Sequence, residues 1–548
     1  MATEVQPRNR YPAFAPAIAR IARPSWPAPA WGAIGVTALF IGITCWWLSQ
    51  DHHIPIWDAG LHLAFAFNVH QALGEGDLNG AFTSTAPYPP FAYLVGSVGV
   101  MLGGVAVAPP IIAENVFFVS LLALGCYQVG RLAFSPLVGL LAVVFALGSP
   151  LIIGQFHIFL TDAPETAMVA VSVWLVIATE RFSRPGVSAI AGVAFGLGML
   201  TKEPFAVFVI GVAAVTAIRG GLPAWRGLAI FTVIALVIAL PWYLHERAQL
   251  EAIKTEATAP SGKIPVPGPE SPKGIAPPRL SQENLQWYLW NFVNWQLWLP
   301  LFLFAAVGWW WTIVGFVRRR PVSRLAVELT VGAFVGWLIV TETYAHDVRY
   351  SMPLLVYLAV FGSGWIVALK PRWRALAASA LVLVAVANTL GVSFGYGRPV
   401  SFTLPGWQPK DLEVPGGVTI YNNGGFAIGP PNREGDLLAM LQALRRYGIH
   451  TITWPPRDAL EPDFTNIGVT DLARIAGIGT LENDSAITSL TRQDAILVHG
   501  KILPHEAPPC VDLENGNGVW LRIGNPVAHG AQDFCPLPKP HFYGPKEP

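Results

Sequence analysis

The sequence predicts a polytopic α-helical membrane protein of about eleven spans, followed by a C-terminal α/β domain outside the cytosol. Three observations predict it. Of 548 residues, 53% are hydrophobic and only 13% charged, where a soluble domain carries about 25%. Apolar runs of spanning length recur between residues 31 and 395, with basic clusters between alternate runs. Beyond Gly397 the chain turns polar, and strand-like runs alternate with helical ones. A formal net charge of +1 gives no argument for a nucleic-acid partner.

The basic segment 1–30 (Arg8, Arg10, Arg20, Arg23) is assigned to the cytoplasm. The run Trp31–Leu48 after it is too long for a signal peptide. It ends in Trp46-Trp47 and has no small-x-small cleavage site before Asp51, so it reads as an uncleaved first span. With about 20 apolar residues needed per span, the others fall at 111–130, 136–153, 165–180, 187–201, 204–218, 228–244, 297–317, 322–341, 351–368 and 375–395. The run 91–108 is apolar too, and the positive-inside rule decides its place. If it lies on the outer face, Arg131, Arg181/Arg184, Arg219/Arg226, Arg318–Arg320 and Lys370/Arg372/Arg374 all stay cytoplasmic. Its glycines and the following Pro109-Pro110 suit a juxtamembrane helix.

The outer face then carries the first loop (50–110), the turn Phe156–Pro164, the Thr201–Pro204 junction, the long loop 245–296 and the turn Thr341–Ser351. The long loop is a lid or a plain linker. It ends in an aromatic stretch, Trp287 to Trp298, that looks interfacial. In 397–548, Val418–Tyr421, His450–Trp454 and Ala495–Val498 read as strands. Asp436–Tyr447 and about Thr470–Ala476 read as helices, and Asn422–Gly425 as a turn. Cys45 and Cys126 read as small buried hydrophobes, and Cys510 and Cys535 suit a disulfide if the tail is extracytoplasmic.

Ionisable residues at the boundary of so apolar a chain are functional candidates. Asp58 follows span one, and Asp162 follows span three in Leu-Thr-Asp-Ala-Pro-Glu. Lys202 closes span five in Met-Leu-Thr-Lys-Glu-Pro, and Arg349-Tyr350 precede span ten. Two carboxylates and two cations on one face suit a reaction between a phosphorylated donor and a hydroxyl acceptor. A carboxylate takes the acceptor's proton, and Lys and Arg hold the phosphate.

At these residues the chain resembles the GT-C-type membrane glycosyltransferases that use polyprenyl-phosphate sugars. That group includes protein O-mannosyltransferases and the lipid A aminoarabinose transferase. The resemblance covers about 50–370. It rests on the acidic first loop ending Tyr88-Pro89-Pro90, the Asp162 turn, the Gly-rich Ala191–Leu200 run into Leu-Thr-Lys, and Arg349-Tyr350-x-x-Pro353. It implies a GT-C-like domain over 31–396 and an inverting transfer at the outer face of the cell membrane. A sugar leaves a polyprenyl-phosphate carrier for an extracytoplasmic acceptor, with membrane lipid around both. Asp58 matches the leading acid of the family's Asp-Glu pair, but position 59 is Ala. His62, at i+4, stands on the same helical face. Tyr88 occupies the place where some members carry a basic residue. Lys202, Arg349 and Tyr350 match positions near the lipid phosphate. The resemblance thus makes Asp58 and Asp162 catalytic, and His62, Tyr88, Lys202, Arg349 and Tyr350 substrate-binding.

Plainer readings compete. Asp58 and Asp162 are also helix-cap signatures. Lys202 suits snorkelling or a surface pair with Glu203, and Arg349 a surface pair with Asp347 or Glu342. No metal site and no cofactor are assigned, and metal dependence stays open, because Asp58 with His62 is spaced to hold a divalent cation. A transporter or lipid flippase is the rival function. It accounts for the spans but not for acids gathered at loop starts.

Overall fold

In the computed structural model, the described residues are 27–396 apart from 53–54, 56, 105, 249, 252–273, 276–281, 319–324 and 342–344. Beyond 396 they are 421–422, 426–427, 429–431, 451–453, 482–483, 495–499, 511–512 and 519–523. The segment 1–26, the helices expected at 436–447 and 470–476, Cys510 and Cys535 lie outside them.

A helix falls on every expected span. Among the described residues, five are long and apolar enough to cross a membrane: Ala28–Gln50, Ala108–Ala133, Leu222–His245, Trp298–Val317 and Pro371–Phe394. Pro recurs in the first turn of the bundle's helices, as at Pro136, Pro150, Pro185 and Pro371, where its missing N–H costs nothing. The run 91–108 forms a helix only over Phe91–Gly103. At 13 residues it belongs with the shorter apolar helices of the bundle, such as Pro136–Leu147 and Ala326–Val340.

Helix pairs approach closely where glycine removes a side chain, the usual device when lipid gives no hydrophobic drive to association. A Cβ on Gly308 would stand 1.9 Å from Phe361 O, and one on Gly125 2.4 Å from the Ala170 carbonyl carbon. These contacts join Trp298–Val317 to Leu355–Gly364, and Ser120–Ala133 to Asp162–Ala178.

The bundle converges at one end. Phe91 N donates to Leu200 O at 2.8 Å, which ties the first-loop helix to the Thr201–Pro204 junction. Gly274–Ile275 of the long loop pairs antiparallel with Ala345–His346. The aromatic stretch differs from the interfacial belt expected. Tyr288, Trp290, Trp295 and Trp298 are buried, and Trp290 and Trp295 pack on each other at 6.1 Å. Their segment is a structural wedge: Tyr288 Oη donates to Val340 O, and Asn291 and Gln296 donate to Val348 O. Cys126 is buried, whereas Cys45 is only half-buried.

Beyond Gly397, Thr451–Thr453 pairs parallel with Glu482–Asn483 and with Ala495–His499. Val519–Ile523 joins antiparallel and carries Val511–Asp512 at its edge, giving a five-stranded mixed sheet. Tyr421–Asn422 pairs with Phe426–Ala427 across the expected turn.

The close approach at Gly308 predicts that Gly308→Val forces the two helices apart and costs about 1–3 kcal/mol. Thermal denaturation in detergent should show a clear fall in midpoint. An unchanged midpoint would contradict this packing.

Candidate active site

Four junctions supply the site: the start of helix Trp57–Gly74, the start of Asp162–Ala178, the Thr201–Pro204 turn and the turn at 347–351. Arg349 joins them. Its Nε and Nη2 donate to Asp347 Oδ1 and Oδ2 at 3.0 and 2.8 Å, a bidentate pair. Nη2 also donates to Asp58 Oδ2 at 2.9 Å, and Nη1 lies 3.7 Å from Asp162 Oδ2. The Asp347 carboxylate turns back onto the Arg349 main-chain N–H at 3.0 Å, which fixes the turn.

Lys202 is the second cation. Its Nζ donates to Asp162 Oδ1 and lies 3.9 Å from Glu165 Oε2. The Tyr350 ring sits 5.5 Å beneath it, within cation–π range. Asp162, Asp347 and Arg349 are buried, whereas the Asp58 side chain is 39% exposed. Asp58 is therefore the carboxylate open to an incoming molecule, held from behind by a buried guanidinium.

Burial opposes the charge on Arg349, yet Asp347, Asp162 and Asp58 outweigh it and hold the guanidinium protonated above its usual range. Burial likewise opposes charge on Lys202, and Asp162 and Glu165 win there, raising the ammonium. Tyr350 is pushed by burial to about 12 and stays a phenol.

Beside Asp58 lies an aromatic group. His62 Nδ1 faces the Tyr93 hydroxyl at 2.5 Å. The Tyr88 ring meets the imidazole edge-on at 4.7 Å, and Thr85 Oγ1 donates to Tyr88 O at 2.7 Å, fixing the residue. As ligands for a cation, Asp58 and His62 are both engaged elsewhere, with Arg349 and Tyr93. Among the described residues, no three His, Cys, Asp or Glu side chains gather to hold a metal.

All seven residues singled out from the sequence thus come together: Asp58, His62, Tyr88, Asp162, Lys202, Arg349 and Tyr350. Two of the plainer readings take a different form. Asp162 is the first helical residue, after an N-cap at Thr161, and its carboxylate pairs with Lys202 instead of capping. The Arg349–Asp347 pair is a buried pivot, not a surface bridge. Glu165 and Tyr93 went unremarked. Glu165 stands at i+3 from Asp162, so one helical face carries both acids, and this spacing was the available signal. Tyr93 gave none, being one aromatic in an apolar run.

Residues 88–245 match the sequence profile of a family described as Dolichyl-phosphate-mannose-protein mannosyltransferase. That stretch carries Tyr88, Asp162 and Lys202, while Asp58, Arg349 and Tyr350 lie outside it. No curated protein matches. Among solved structures, ArnT from Cupriavidus metallidurans bound to undecaprenyl phosphate is 17% identical, over 63% of this chain and 62% of that one, with a TM-score of 0.46. The Archaeoglobus fulgidus oligosaccharyltransferase in the apo form is 10% identical, over 85% and 65%, with a TM-score of 0.47. The chain thus spans less than two thirds of the length of either protein.

Removing one partner of a buried ion pair strands the other charge. Asp347→Ala should therefore cost on the order of 3–5 kcal/mol and lower the denaturation midpoint well beyond Glu203→Ala. Equal midpoints for the two variants would show that Asp347 does not anchor Arg349. Over residues 88–245, the resemblance to GT-C-type membrane glycosyltransferases holds.

Proposed function

We propose that the protein is an inverting glycosyltransferase that moves a sugar from a polyprenyl-phosphate carrier to an extracytoplasmic acceptor. The observation that carries this reading is the Arg349 pivot. It holds an exposed carboxylate, Asp58, and shares Asp162 with a cation that is partly open, Lys202 at 14% exposure. A base and a phosphate clamp side by side are what transfer from a phosphate-linked sugar needs. The family match over 88–245 supports the same class of chemistry.

Asp58 Oδ accepts the proton of the acceptor hydroxyl as its oxygen attacks the anomeric carbon. The bond between that carbon and the phosphate oxygen breaks on the opposite face. The phosphate leaves with the electron pair, and Lys202 stabilises its growing charge. Arg349, nearly enclosed by carboxylates, first orients Asp58 and faces the phosphate second. Asp162 keeps Lys202 and Arg349 in register. Tyr350 supports the ammonium from below, and Tyr88 offers a ring edge for the sugar. Lys202 and Arg349 supply positive charge here from the chain itself.

In this reading eleven helices cross the cell membrane, the N-terminus is cytoplasmic and 397–548 is an extracytoplasmic α/β domain that helps hold the acceptor. The carrier's tail stays in the bilayer, so the site opens sideways to lipid.

Purified protein in lipid vesicles, given a panel of polyprenyl-phosphate hexoses and pentoses, should release polyprenyl phosphate. Asp58→Asn keeps a side chain of the same shape but cannot take a proton. It should lower kcat by about 10²–10⁴ while donor binding persists. Equal turnover by wild type and variant would remove Asp58 as base.

A further inference from the structure

The missing acid at position 59 raises the question of what His62 does beside Asp58. The answer lies in Tyr93. Both rings are buried, His62 at 4% exposure and Tyr93 at 0%. The imidazole and phenol stack at 5.7 Å and 15°, and the hydroxyl meets Nδ1 at 2.5 Å. Phe65 and Phe159 pack around Tyr93 at 5.4 and 6.1 Å. Rings pack around Tyr93, the carboxyls of Glu114, Asp162 and Asp58 act on it electrostatically, and His62 Nδ1 is the hydrogen-bond partner its hydroxyl meets.

A phenol must donate its proton somewhere. If Nδ1 carried a hydrogen, it would donate to the phenol oxygen. The phenolic proton would then be buried without an acceptor, at a cost of about 1–3 kcal/mol. With Nδ1 accepting, the hydroxyl is satisfied and the ring hydrogen of neutral imidazole sits on Nε2. The charged groups facing the ring are Asp58 on its own helix, with Asp162, Arg349 and Lys202 from three other elements; Tyr88 and Tyr93 complete the shell. Burial lowers the imidazole to about 4 against the pull of Asp58 and Asp162, so the ring stays neutral at physiological pH.

We propose that Tyr93 locks His62 as the Nε2–H tautomer, making it an uncharged hydrogen-bond donor one helical turn from Asp58 that holds the acceptor's hydroxyl oxygen. The acceptor oxygen receives a hydrogen bond from His62 Nε2–H while its own proton goes to Asp58. Nε2 keeps its hydrogen throughout, so His62 is no substitute for the absent acid. Its lone pair at Nδ1 is engaged and its other nitrogen is protonated. Tyr93 is a positioning residue acting through His62. The donor role rests on the glycosyltransferase reading, whereas the tautomer does not.

The test joins spectroscopy to turnover. Protein labelled with ¹⁵N-histidine is placed in lipid bilayers, and the His62 signals are assigned by their loss in His62→Gln. One bare Nδ1 and one protonated Nε2, unchanged between pH 5 and 8, are expected. Tyr93→Phe should mix the tautomers. With the same polyprenyl-phosphate sugars, His62→Leu should lose about tenfold or more in kcat with little change in donor KM. His62→Gln, which keeps an N–H near Nε2, should recover most of that loss. A hydrogen on Nδ1, titration near 6.5, or His62→Leu turning over like wild type would overturn the proposal. Absence of turnover by wild type with every donor would overturn the function and with it the donor role, and the spectra would still show whether the lock exists.

Discussion

Burying a guanidinium requires carboxylates, and here that requirement organises one end of the molecule. Arg349 is 5% exposed. An ion that size loses several kcal/mol of hydration on burial unless paired and hydrogen-bonded. Asp347 satisfies one edge of the fork, and Asp58 and Asp162 arrive from two distant parts of the chain. Lys202 then pairs with Asp162. Two cations and their acids so connect the first-loop helix, the start of Asp162–Ala178, the 201–204 turn and the 347–351 turn. The packing of the helices has to deliver those junctions to one place, and glycine contacts such as Gly308 on Phe361 let them come close enough to do it.

The same network sets the chemistry. A carboxylate sharing a buried partner is held in one orientation, and the partner's other bonds leave it little freedom to move. Asp58 combines this restraint with exposure, which a proton acceptor needs. Lys202 combines a buried partner with an opening, which a phosphate contact needs. The aromatic group at His62, Tyr88 and Tyr93 stands beside both and adds shape and neutral donors without adding charge.

Much of this was legible in the sequence. Apolar runs of spanning length fix the helices, because composition and length alone decide which stretches suit lipid. Asp58, Asp162, Lys202 and Arg349 stood out because charge is rare in such a chain. Pairing was not legible. Asp347 was read as a surface partner of Arg349, since adjacency in sequence says nothing of depth. Glu203 was offered to Lys202, but a residue 40 positions away holds it. The Trp287–Trp298 stretch read as interfacial, yet Tyr288, Trp290, Trp295 and Trp298 are buried and its amides carry the 348–351 turn. Tyr93 was invisible because only the third dimension sets its hydroxyl against His62. The Asp347–Arg349 pair is local and only its depth was hidden; the others are long-range contacts, which periodicity and spacing do not encode.

In the proposed transfer, Lys202 and Arg349 are the place where a lipid phosphate meets Asp58. Its most direct test is a cryo-electron microscopy structure in lipid nanodiscs with polyprenyl phosphate added. Density for the phosphate within hydrogen-bond reach of Lys202 Nζ, with Arg349 still bridging Asp58 and Asp347, is the predicted result. Phosphate bound away from Lys202, or Asp58 released from Arg349 and turned out of the site, would contradict it.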